Sequence, residues 1–116
     1  MPDKPRLAEL LQAPPDGVFF VTNAHVYDWG AEIVFDCRCE LNRTLPAIRF
    51  QLVLRGCRDF QWRTYAHLRS AEDLPLPAAV VNVALGQDNH RRPFNLLTDS
   101  FAVTVTYSEL VARRVV

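Results

Sequence analysis

Between positions 32 and 64 the chain alternates apolar and polar residues with a period of two. Ile33, Phe35, Cys37, Cys39 and Leu41 alternate with Glu32, Asp36, Arg38 and Glu40. Ile48, Phe50, Leu52 and Leu54 then alternate with Arg49, Gln51 and Arg55, and Phe60, Trp62 and Thr64 with Asp59, Gln61 and Arg63. Successive side chains of a strand point to opposite faces, so this pattern predicts sheet with one buried and one wet face. The apolar run Val18-Phe19-Phe20-Val21 opens an earlier strand over 18–27, and Trp29-Gly30 turns it into 31–41. Strands over 47–55 and 57–65 follow, with Gly56 as a bulge or tight connection. These links are too short for helical crossovers, which predicts an antiparallel meander.

Further along, 78–85 reads as a fifth strand with Val81, Val83 and Leu85 on one face, and 86–93 as an exposed polar loop. Residues 95–100 lead into a strand over 101–107, and Ser108-Glu109 reverses it into 110–115 as a terminal hairpin. Near the start, Leu7, Leu10 and Leu11 share one face of a short helix over 5–13, ended by Pro14-Pro15-Asp16-Gly17. The expected fold is mainly β: one domain over 1–116, with residues 1–17 as N-terminal helix and turn. Its antiparallel meander of six to seven strands is expected to form a sandwich or half-open barrel. The expected core is Phe20, Ile33, Phe35, Phe50, Leu52, Leu54, Trp62, Val81, Val83, Val103 and Val105.

A chain of 116 residues, 49% hydrophobic and 22% charged, is of a size that folds without a disulfide or metal. Thirteen basic and thirteen acidic residues cancel, which argues against a nucleic-acid or anionic-membrane footprint. All basic residues but Lys4 are arginine, the cation suited to bidentate contacts at protein interfaces. The cysteine count is three, no apolar run reaches membrane-spanning length, and the N-terminus lacks a signal-peptide core. These features point to the cytosol, with reduced thiols.

The chemistry-bearing residues form no catalytic or phosphate-binding motif. Cys37 and Cys39 share a strand face that Cys57 could approach, as in a thiolate metal site. The spacing is not that of a zinc knuckle, and both continue an apolar face, so packing is the preferred role and no cofactor or metal is expected. Asn23, His25 and Tyr27 share a face as a hydrogen-bonding row or binding patch. Arginines interleaved with aromatics around Arg63 and Tyr65, the exposed Trp29, and the loop residues His90, Arg91 and Arg92 complete the candidate binding set.

The stretches His25-Val26-Tyr27-Asp28, then 52–59 with Gly56 at its centre, and finally 101–113, resemble the small β-rich immunity proteins that bacteria encode beside polymorphic toxins. In those proteins the early His and Asp are adjacent, whereas here Val26 and Tyr27 separate them. The resemblance implies a non-enzymatic protein that binds and blocks a toxin, and carries over no site residues. The functional expectation is a small cytosolic protein-binding module, an immunity-type or regulatory subunit whose partner is another protein. One alternative is a small-molecule- or metal-binding barrel with a pocket near His25, Tyr27 and the cysteines. A second is a structural protein that self-assembles through an open sheet edge, a homo-oligomer.

Overall fold

The computed structural model describes residues 4–11, 17–40, 46–64 and 78–115. Eight strands form one antiparallel sheet: β1 (Val18–Tyr27), β2 (Glu32–Glu40), β3 (Ile48–Arg55), β4 (Arg58–Thr64), β5 (Ala78–Ala84), β6 (Phe94–Thr98), β7 (Phe101–Thr106) and β8 (Glu109–Arg114). A two-turn helix, α1 (Lys4–Leu10), precedes them. It lies against β5 and buries Leu7 and Ala8, with Leu11 just beyond it; Leu10, expected on that face, is exposed. Tyr65, His67 and the expected loop over 67–77 lie outside the described residues.

The strand order is β4-β7-β6-β5-β1-β2-β3-β8. This corrects three expectations. The described residues hold eight strands, because Phe94–Thr98 is a strand in its own right, hairpinned to β5 through the loop at 86–93. The meander stops after β3, since β4 pairs with β7 at the opposite end of the sheet. There is no terminal hairpin, because β8 pairs with β3 and not with β7.

The last two corrections have one cause. Arg55 faces Glu109 and Arg58 faces Thr106, with two residues on each strand in between. β3 and β4 therefore run as one long bent strand beside a β7–β8 bent at the same place. Gly56 makes the bend at φ +64°, a conformation L residues rarely adopt, and lies against the Ser108 side chain. The Ser108 amide donates to the Arg55 carbonyl at 2.9 Å. A β3–β4 hairpin would have set Arg55 opposite Arg58, a like-charge pair that sheets avoid. Ser108-Glu109 offers no glycine for the primed turn of a tight hairpin.

The sheet curls. Phe35 of β2 stacks on Phe94 of β6 with ring centroids 5.8 Å apart, although β5 and β1 lie between their strands. On a flat sheet three strand spacings would hold them roughly 14 Å apart. The fold turns at the short β1–β5 ladder, Phe20↔Ala79 and Val21↔Ala78, and again at the bent ribbon. Among the described residues the sheet ends at β4 and β8 and is not closed into a barrel.

Ile33, Phe35, Phe50, Leu52, Leu54, Val83, Val103 and Val105 are buried as their alternation predicts. Three expected core residues are not. Val81 is exposed and Val80 buried instead, because a register shift between Val80 and Asn82 changes the phase of β5. Phe19, not Phe20, is buried at the start of β1, and the Arg38 guanidinium covers the Phe20 ring at 5.0 Å. Trp62 stacks on buried Phe101 at 4.4 Å but stays exposed on the edge strand.

Candidate binding surface

The bend gathers several loops into one corner. The Cys57 amide donates to the Ala31 carbonyl at 2.9 Å, tying the β1–β2 turn to the bend. On the other side, Asn89 and His90 amides donate to the Ser108 and Tyr107 carbonyls at 3.1 and 2.8 Å. The bend at 56–60 thus has the Asp28-Trp29-Gly30 turn on one side and the 88–92 loop on the other.

Every non-glycine residue with positive φ among those described belongs to these segments: Asp28, Trp29, Asp59, Asn89 and His90. An L residue in the left-handed region costs roughly 1 kcal/mol or more, and such strain concentrates at functional sites. Trp29 is the clearest case. A bulky aromatic at φ 59° projects wholly into solvent, held between left-handed Asp28 and Gly30. Beside it, a cleft of about 410 Å³ is lined by Val26, Trp29, Gly30, Cys57, Arg58 and Phe60, among others. Val26, Tyr27, Trp29 and Phe60 are all exposed.

The bend carries several arginines. Arg55 is engaged by Glu32 at 3.4 Å and Glu109 at 3.7 Å. Arg58, Arg91 and Arg92 are exposed and form no ion pair among the described residues. His90 is anchored: its Nδ1 lies 2.9 Å from Thr106 Oγ1, and Nε2 3.4 Å from Ser108 Oγ. Thr106 spends its hydroxyl hydrogen on the Arg58 carbonyl at 3.1 Å, so it must accept from His90, whose proton therefore sits on Nδ1. His90 ties the 88–92 loop to the bend.

A second polar constellation crosses the outer face of β1, β2, β3 and β8. Arg113 Nε donates to Gln51 Oε1 at 2.9 Å, Gln51 Nε2 donates to Asp36 Oδ1 at 2.7 Å, and Asp36 Oδ2 meets His25 Nε2 at 2.8 Å. Tyr27 stacks on the His25 ring, centroids 6.1 Å apart. A histidine on a carboxylate can pass a proton, but the Thr22 hydroxyl beside this pair donates to the Asp36 carbonyl at 3.0 Å. Next to this row an open groove of about 660 Å³ runs past Arg38, Arg49 and Val115.

The structure therefore sets Trp29 on one side of the bend and His90, Arg91 and Arg92 on the other, with Tyr27 and His25 on the outer face of β1. Arg63 is exposed on β4, and Tyr65 falls outside the described residues. Cys37 and Cys39 point into the core, on the face of β2 opposite to Asp36, and so away from His25 and Tyr27. Burial, with the Asp36 charge adding to it, pushes the Cys37 thiol far above its ordinary value; burial also raises the half-buried Cys57. No cluster of three His, Cys, Asp or Glu suited to a metal occurs among the described residues.

Sequence reasoning missed Asp36, Gln51 and Arg113 as one row, and Asp59, Phe60 and Val26 beside Trp29. The polar alternation marked the first three as outward-facing, but only the β2–β3 and β3–β8 registers place them opposite one another. Neither a protein-family model, nor a curated protein, nor a solved structure matches the chain.

Proposed function

We propose that this chain is a small protein-binding module without catalysis, which docks a partner protein through the corner around Trp29. The observation that carries this reading is the coincidence of all the described left-handed non-glycine residues with a fully exposed tryptophan. A fold gains nothing in stability by straining a turn to hold indole in water, whereas tryptophan and arginine are the residues that most often dominate interfaces. Arg58 beside it and Arg91 and Arg92 across the bend make no ion pair among the described residues, which suits a partner whose surface pairs an apolar pocket with acidic groups. A reducing, cytosolic setting, in which the cysteines stay thiols, belongs to the same reading. The narrower immunity-type form, in which the partner is a toxin that is thereby blocked, rests on the sequence resemblance.

The test is affinity capture of tagged protein from its native cell extract, run beside W29G. Glycine relieves the left-handed strain, so W29G is expected to be as stable as the parent or up to about 1 kcal/mol more stable. It should nevertheless lose the dominant partner. A partner retained equally by W29G and by an R91E/R92E variant refutes the corner as the docking site.

A further inference from the structure

We infer that the groove on the outer face of β2 and β3 binds a small organic phosphate monoester, with the phosphate held between Arg38 and Arg49. The β2–β3 register sets these two arginines directly opposite one another. Their Cβ atoms are then roughly 4.5–5.5 Å apart, and like charges so placed oppose the pairing of the strands. No bulge accounts for the coincidence, because the ladder is regular from Glu32↔Arg55 to Cys39↔Ile48. One oxyanion between the two guanidinium groups turns the repulsion into two charge-assisted contacts.

The surroundings leave both groups able to take an anion. Arg49 is exposed and forms no ion pair or side-chain hydrogen bond among the described residues. Arg38 is pinned without being used up. Its guanidinium sits over the Phe20 ring, and Glu40 Oε1 lies 3.0 Å from Nε but off the N–H axis, so no hydrogen bond forms there. A side chain already held in place loses little freedom on binding. Glu40 sets one negative charge beside the site. The other carboxylate of the lining, Asp36, is occupied by Gln51 through Oδ1 and by His25 through Oδ2.

The groove also has room for the rest of the ligand. Its volume of about 660 Å³ is that of a small-molecule site. Ala47 and Val115, both exposed, line it as apolar surface. The Val115 amide donates to the Arg49 carbonyl at 2.8 Å, which fixes that wall beside the arginine. Two opposed arginines favour phosphate over carboxylate. A phosphate monoester carries about 1.5 to 2 negative charges and three terminal oxygens, enough for both guanidinium forks, whereas a carboxylate suits one.

The experiment is isothermal titration of the full chain with phenyl phosphate, inorganic phosphate and benzoate at fixed ionic strength, with every variant checked by thermal melting. Phenyl phosphate should bind the parent more tightly than either of the others. R38Q and R49Q should each weaken it roughly tenfold or more, and E40Q, which removes the neighbouring negative charge, should tighten it. Without ligand, R49Q should melt no lower than the parent, since it removes a like-charge pair. A clear fall in that melting point would assign Arg49 to the fold and overturn the inference. A parent that takes up no phenyl phosphate at millimolar concentration overturns it too, as do R38Q and R49Q that both bind like the parent. Benzoate or inorganic phosphate binding as tightly as phenyl phosphate overturns the assignment to a monoester. The groove shares no lining residue with the cleft beside Trp29, so this titration and the partner capture can fail independently.

Discussion

Substituting Gly56 by alanine tests the central topological feature, the crossing of two bent strands. Two costs add. Alanine at φ +64° carries the left-handed penalty of an L residue, roughly 1–2 kcal/mol. Its Cβ would also lie 2.8 Å from the Ser108 Cβ and closer still to Ser108 Oγ. Carbon atoms rest roughly 3.5–4.0 Å apart, so the neighbour must yield by about 1 Å. Overpacking of that kind costs roughly 1–3 kcal/mol. G56A should therefore destabilise by about 2–5 kcal/mol in urea unfolding. S108G alone should cost only about 0.5–1 kcal/mol, through added chain entropy. In the double variant the overlap vanishes while the φ penalty remains, which gives a favourable coupling of about 1–3 kcal/mol. A meander with a terminal hairpin would keep positions 56 and 108 apart, and distant sites add to within about 0.5 kcal/mol. Additivity of G56A and S108G would refute the bent-ribbon topology.

Four further outcomes follow from the packing, a surface ion pair and the thiols. F94A removes the ring stacked on Phe35 and should cost about 3–5 kcal/mol in the same unfolding assay. D36N, in contrast, weakens a half-exposed pair with His25 and should cost no more than about 1 kcal/mol, read from the thermal midpoint. The Cys37 thiol is held neutral by the fold, so its pKa is higher folded than unfolded. Its contribution to stability is then intact below the unfolded value, roughly 8.5, and is lost above it at up to about 1.4 kcal/mol per pH unit. C37A should lose less stability than the parent between pH 8 and pH 10, and in native protein Cys57 should react with a thiol reagent well before Cys37.

The alternation of β2 and β3 and the run that opens β1 were legible in the sequence, because a half-buried strand must place apolar residues at every second position. So was the outward direction of Asp36, Gln51, Arg38 and Arg49, and so was the reading of Cys37 and Cys39 as core. What the chain could not disclose locally was register and partner choice. A bulge after Val80 moved burial from Val81 back to Val80 and on to Val83, which depends on the ladder with β6 rather than on β5 itself. Gly56 reads equally as a bulge, a hairpin turn or a bend; Ser108 lies against it, more than fifty positions away, and only the tertiary fold brings the two together. The same holds for the site. Trp29 and Arg91 were each recognisable as exposed, but only the fold sets them on either side of one bend, through the Cys57 amide on the Ala31 carbonyl and the Asn89 amide on the Ser108 carbonyl. Sequence alone determined the faces of the strands, since these follow from side-chain alternation within a few residues. The tertiary structure decided which strands pair, and hence which exposed residues share a surface, because pairing energy depends on partners distant in the chain.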